Sequence, residues 1–137
     1  NYLKQSLEIK EELEDEPGLA SGYHELGNLL VTTKEFQEAQ GYYEDALELE
    51  MKLRDIPGVA ATQAQLGLVH RHLLQFPDSI KALTASHALF RKLDSPNALA
   101  IEKALEAIQP MVGMRDVKEA DDYADELIQT LLYGYEN

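Results

Sequence analysis

Four histidines and no cysteine bound the chemistry open to this chain of 137 residues. Without a thiol there is no thiolate ligand, no thiol nucleophile and no disulfide. His70 and His72 stand two apart, so on a helix they point in different directions and do not converge on one metal. His70 falls where a helix packs on its neighbour and reads as a half-buried structural histidine. His87 has no partner visible in the sequence and reads as a packing or surface residue. Two acidic clusters, Glu11 to Glu16 and the group Asp121, Asp122, Asp125 and Glu126, have cation-binding donors but read as solvated helix faces. The spacings of phosphate-binding loops, dinucleotide folds, zinc proteases and calcium loops are all missing. No nucleophile stands beside a base. The residues therefore predict no enzyme, no catalytic centre, no metal site and no cofactor.

What recurs is the segment that would position side chains. ELEDEPGLASGYHELG, residues 12 to 27, returns forty residues later as KLRDIPGVAATQAQLG, residues 52 to 67. The overlay sets Leu13 on Leu53, Asp15 on Asp55, Pro17 on Pro57, Gly18 on Gly58, Leu26 on Leu66 and Gly27 on Gly67. A further step of forty reaches KLDSPNALA, where Leu93, Leu99 and Ala100 keep register. Self-similarity at a fixed period marks a repeat architecture. Between the repeated turns apolar residues recur three and four apart, as in Leu26, Leu29, Leu30 and in Tyr43, Ala46, Leu47, which is the period of a helix. Pro or Gly beside Asp or Ser marks most of the breaks. The pattern predicts an all-α chain of seven helices, at about residues 1–14, 17–33, 35–53, 57–73, 77–93, 96–110 and 116–133.

Helix pairs on such a period have a family likeness. Tyr23, Leu26-Gly27 and Leu30, followed by Ala39, Tyr43 and Ala46, resemble the tetratricopeptide pattern W-x2-L-G-x2-Y … A-x3-F-x2-A. A second unit keeps Leu66-Gly67 and puts Ser79, Leu83 and Ser86 in the small, large and small slots. The third is degenerate: Ala107 stands for the glycine, Pro110 takes the late aromatic slot, and one inserted residue precedes Ala120, Ala124 and Leu127. The period is longer than the family's common thirty-four and is similar to the long-helix variant of adaptors, kinesin light chains and signalling ATPases. The resemblance implies an α-α superhelix of antiparallel pairs in one block. Residues 1–14 would be the second helix of a cut repeat, followed by 17–53, 57–93 and a degenerate 96–133. A chain that starts at Asn1 inside a helical pattern reads as a piece of a longer protein.

The same resemblance places function on a concave face lined by the first helix of each pair. The matching slots are Ser21, His24, Asn28, Val31 and Thr32, then Ala61, Ala64, Leu68, Arg71 and His72, then Ile101, Ala104, Ile108, Met111 and Val112. Residues three, four and seven apart share a face, in keeping with this grouping. His24 and Asn28 would form a donor and acceptor pair for a peptide backbone, and Leu68, Ile108 and Met111 an apolar patch calling for cover. The implied partner is a peptide or helix with an apolar anchor. The family's clamp for acidic peptide C-termini is met only at Asn28 and Arg71. The second reading is a ligand-sensing segment of a larger signalling protein such as a signalling ATPase.

Charge narrows the partners. The net −13 divides into −9 over residues 1–55, +2 over 56–115 and −6 over 116–137. Acidic ends repel phosphate backbones, so no nucleic-acid partner is expected. No apolar run approaches the ~18 residues of a membrane span, which predicts no membrane association and suits a cytoplasmic setting. The first helix lacks a pairing helix, leaving Tyr2, Leu3 and Leu7 uncovered and predicting self-association at that end.

Overall fold

A computed structural model describes residues 2–12 and 15–134. They form α1 (Tyr2–Glu12), α2 (Glu16–Thr32), α3 (Phe36–Leu53), α4 (Ile56–His72), α5 (Phe76–Lys92), α6 (Asn97–Ile108) and α7 (Met114–Tyr133). A 3-10 turn, Gln109–Met111, links the last two. The described residues contain no strand, and no helix among them is long and apolar enough to cross a membrane. Residues 1, 13 and 14 of the expected first helix, with part of the Glu11 to Glu16 cluster, lie outside the described residues. α6 stops two residues short of its expected end, because Pro110 removes a helical donor and the chain tightens into the 3-10 turn.

The turns repeat at half the sequence period. Lys34, Arg54, Leu74 and Asp94, twenty residues apart, each hold a left-handed conformation, with φ of 63°, 52°, 61° and 51°. Behind each, the next N–H reaches back five residues: Glu35 to Leu30 O at 2.8 Å, Asp55 to Glu50 O at 2.9 Å, Gln75 to His70 O at 2.8 Å and Ser95 to Phe90 O at 2.9 Å. This bond satisfies a carbonyl that the helix end would leave orphaned. The following start is capped where the sequence repeats: the Asp15 and Asp55 carboxylates accept from Gly18 N and Gly58 N, both at 3.0 Å.

Close packing is written in the alignment slots. A Cβ on Gly27 would stand 2.6 Å from the Tyr43 ring, and one on Gly67 would stand 2.5 Å from Leu83. Hydrogen at these two positions lets α2 meet α3, and α4 meet α5, closely enough to bury Tyr43 and Leu83 completely. The small residues opposite are also sealed: Ala39 and Ala46 on α3, Ser79 and Ser86 on α5. Both serine hydroxyls donate to carbonyls of α4, Gly67 O and Ala60 O, at 2.7 Å. α1 packs on α2, and α3 joins the first pair to α4. Leu7 is correspondingly buried with Leu19 and Leu26, correcting its expected exposure; Tyr2 and Ile9 are the large apolar residues of α1 that face solvent.

The third unit is built differently. Stepping forty residues from Ala60, Gln63, Leu66, Gly67 and His70 gives Ala100, Lys103, Glu106, Ala107 and Pro110, all exposed. Lys103 and Glu106 stand where the earlier units bury side chains, and an unpaired buried charge is costly. α6 is therefore rolled, so that Ile101, Ala104, Leu105 and Ile108 pack toward Ile80 and Leu83. α7 lies chiefly along α5, burying Ala120, Ala124, Leu127 and Leu131, which follow one helical stripe. The result is an all-α stack of antiparallel pairs with a rearranged last unit.

Candidate functional site

Three helices meet where the first pair joins the second, and their polar side chains form one connected group. Thr62 of α4 donates its hydroxyl to Glu50 Oε1 of α3 at 2.6 Å. Its oxygen lies 3.1 Å from His24 Nδ1 of α2. Since the hydroxyl proton is committed to Glu50, the Thr62 oxygen accepts from His24, which makes Nδ1 the protonated ring nitrogen. The His24 ring stands edge-on to Tyr43, centroids 5.4 Å apart. Tyr43 in turn donates to Asn28 Oδ1 at 2.5 Å. Burial pushes the Tyr43 hydroxyl up to about 12 and the Glu50 carboxyl up to about 7. It lowers His24, against a smaller opposing effect of Glu25.

This network reassigns two of the residues expected to hold a peptide. His24 is half-buried and ties α2 to α4, so it does not line the groove as a free donor. Asn28 is exposed, but its oxygen is taken by Tyr43, leaving the Nδ2 donors to the surface. Thr32 donates to Asn28 O at 3.1 Å, within its own helix. His72 is exposed and stacks flat on Phe36, centroids 4.3 Å apart at 4°, at the start of α3. His70 turns elsewhere, with Nδ1 2.7 Å from Gln75 Oε1.

The apolar end of the expected groove is not there. Ile108 is 1% exposed, locked among Ile80, Leu83 and Ala120, because the roll of α6 carries that face inward. Ile101, Ala104 and Val112 pack at the same interface. Met111 is 60% exposed but sits in the 3-10 turn beyond α6. Ala64 and Val31 also turn toward the core.

The stripe that remains open runs Ser21, Glu25, Asn28 and Thr32 on α2, all exposed, with half-buried Ala61, Gln65 and Leu68 and exposed His72 on α4; Ala61 also touches the core. Leu68 is half-buried and belongs to no apolar cluster. Arg71, also half-buried, makes no ion pair among the described residues. Beside Ala61 and Gln65 a hollow of about 250 Å³ opens toward Phe90 and Ile101. Glu25 and Gln65 were missed by the slot pattern, although the forty-residue step from one to the other is in the sequence. The arrangement offers an amide donor, one carboxylate, one guanidinium and a central leucine, which suits recognition of an extended chain or helix. His87, expected to be a packing or surface residue, has Nε2 3.6 Å from Glu102 Oε2 across α5 and α6.

No family model matches the chain, and no curated protein sequence does.

Proposed function

We propose that the chain is a protein-interaction module, tetratricopeptide-like in its first two units, that holds a peptide or helix along α2 and α4. The observation that carries this reading is Leu68: an apolar side chain at the centre of the open stripe, outside every packed cluster of the core. Apolar groups placed so, with polar neighbours at the rim, are the usual anchors of protein contacts. Asn28 Nδ2 and Arg71 flank it with donors that no described residue uses. The binding surface spans two helices in this account, not three, because Ile108 serves the core.

A peptide-display selection against the folded chain tests the proposal. Selected peptides share an apolar position and shift the amide resonances of Asn28, Leu68 and Arg71 when titrated into labelled protein. Peptides whose shifts fall elsewhere on the molecule, leaving those three unmoved, contradict it.

A further inference from the structure

α4 has a second open side. Gln63 and His70 lie about half a turn around the helix from the Ala61, Gln65, Leu68 and His72 stripe, and they floor a furrow between α3 and α5. Glu44 stands on the α3 wall, Asp78 and Lys81 on the α5 wall, and Tyr123 of α7 closes one end. The cavity measures about 320 Å³, the lower end of the range for small-ligand sites, about 300 to 1,000 Å³.

Its polar groups are mostly acceptors with nothing to accept. Gln63 is 2% exposed, yet only half of its amide is used: Nε2 donates to the Tyr123 hydroxyl at 2.8 Å, and Oε1 accepts no hydrogen bond among the described residues. That oxygen is not sealed from the furrow, so it stays open to a donor arriving there. His70 directs Nδ1 at Gln75 Oε1; with the proton there, Nε2 is a bare acceptor. Glu44 and Asp78, one on each wall, form no ion pair among the described residues. The Lys81 ammonium lies over the Tyr123 ring, 4.6 Å from its centroid, and is occupied there.

Two carboxylates, an amide oxygen and an imidazole line one space, a set that suits a cation with several donors in fixed directions. A guanidinium has five, in a plane, and sheds water more readily than an ammonium. We propose that the furrow is a binding site for a guanidinium group, supplied by an arginine side chain of a partner or by a free guanidino compound. Gln63 Oε1 receives one N–H, and Glu44 and Asp78 balance the charge from either wall. This site is on the opposite side of α4 from the Leu68 stripe and is independent of it.

The test titrates labelled protein with N-acetyl-arginine amide, N-acetyl-lysine amide and N-acetyl-citrulline amide, the last a neutral isostere. The Gln63 side-chain amide and the Lys81 and Tyr123 backbone amides are followed. The arginine amide is expected to give saturable shifts, with citrulline binding at least about tenfold more weakly, since the ionic component of the bond is removed. A Glu44→Gln, Asp78→Asn double variant, both positions exposed, is expected to keep its melting temperature and lose the binding. Free L-arginine binding as tightly as the amide identifies a small-molecule site, and weaker binding identifies a side chain in a polypeptide. Equal shifts with citrulline, shifts that do not saturate, or binding unchanged in the double variant would each overturn the proposal.

Discussion

Glu50 is 5% exposed and its carboxyl is pushed up to about 7 by burial, with the Thr62 hydrogen bond opposing and Asp55 adding a little. The folded value exceeds the ordinary 4.5, so the stabilisation from the neutral acid is complete below 4.5 and lost as pH rises through about 7. His24 acts in the opposite sense: its lowered value makes protonation unfavourable in the fold, which costs stability as pH falls below 6.5. Glu50→Gln removes the first dependence. Urea melts are expected to show the variant more stable than the parent by about 1–3 kcal/mol at pH 8, with the gain vanishing near pH 4.5. A gain equal at both pH values contradicts the burial account. Leu74, 73% exposed at φ 61°, is a second residue out of place. Leu74→Gly is expected to stabilise by about 1 kcal/mol in the same melts, since glycine holds that conformation without strain. The sequence concealed both features. Glu50 looks like one more acid on an acidic helix, and the left-handed turn positions carry Lys, Arg, Leu and Asp where glycine would have announced them.

Helices α2 to α5 were legible because the turn chemistry, the apolar period and the glycine slots agreed with one another. Gly27→Leu tests that agreement: even a Cβ reaches the Tyr43 ring, so the variant is expected to lose about 1–3 kcal/mol or more. Ala107→Leu, aligned with it but exposed, is expected to change stability by less than about 0.5 kcal/mol. Equal losses at the two positions, measured by thermal unfolding, contradict the roll of α6. The forty-residue overlay misread that helix, since it aligned Lys103 and Glu106 with buried positions. The competing signal was present in Ile101, Ala104, Leu105 and Ile108, spaced three, four and seven apart. Where a register and a local apolar stripe disagree, burial of the stripe wins, because a misplaced charge costs more than a broken repeat. Nothing in the spacing showed that α7 would lie along α5, as that follows from the turned α6.

Over the whole molecule, exposed apolar side chains occur at the inter-helix turns and also at both outer ends of the stack: Tyr2 and Ile9 on α1, and Leu99, Met111 and Met114 around α6 and the turn after it. Solenoid ends with such faces associate. Sedimentation over a concentration series is expected to show reversible self-association that Ile9→Lys weakens; a monomer at every concentration contradicts it. On the long side of the stack, Leu68 is proposed to anchor a bound chain along α2 and α4. The most direct test is the affinity of a display-selected peptide for the parent and for Leu68→Glu, with melting curves recorded on both. Leu68 is half-buried but packs in no apolar cluster, and Glu is a good helix former, so the melting temperatures are expected to agree. A carboxylate set against an apolar anchor is expected to cost about 2 kcal/mol or more, roughly thirtyfold in affinity. Unchanged affinity with unchanged melting would remove the α2–α4 stripe as the binding surface.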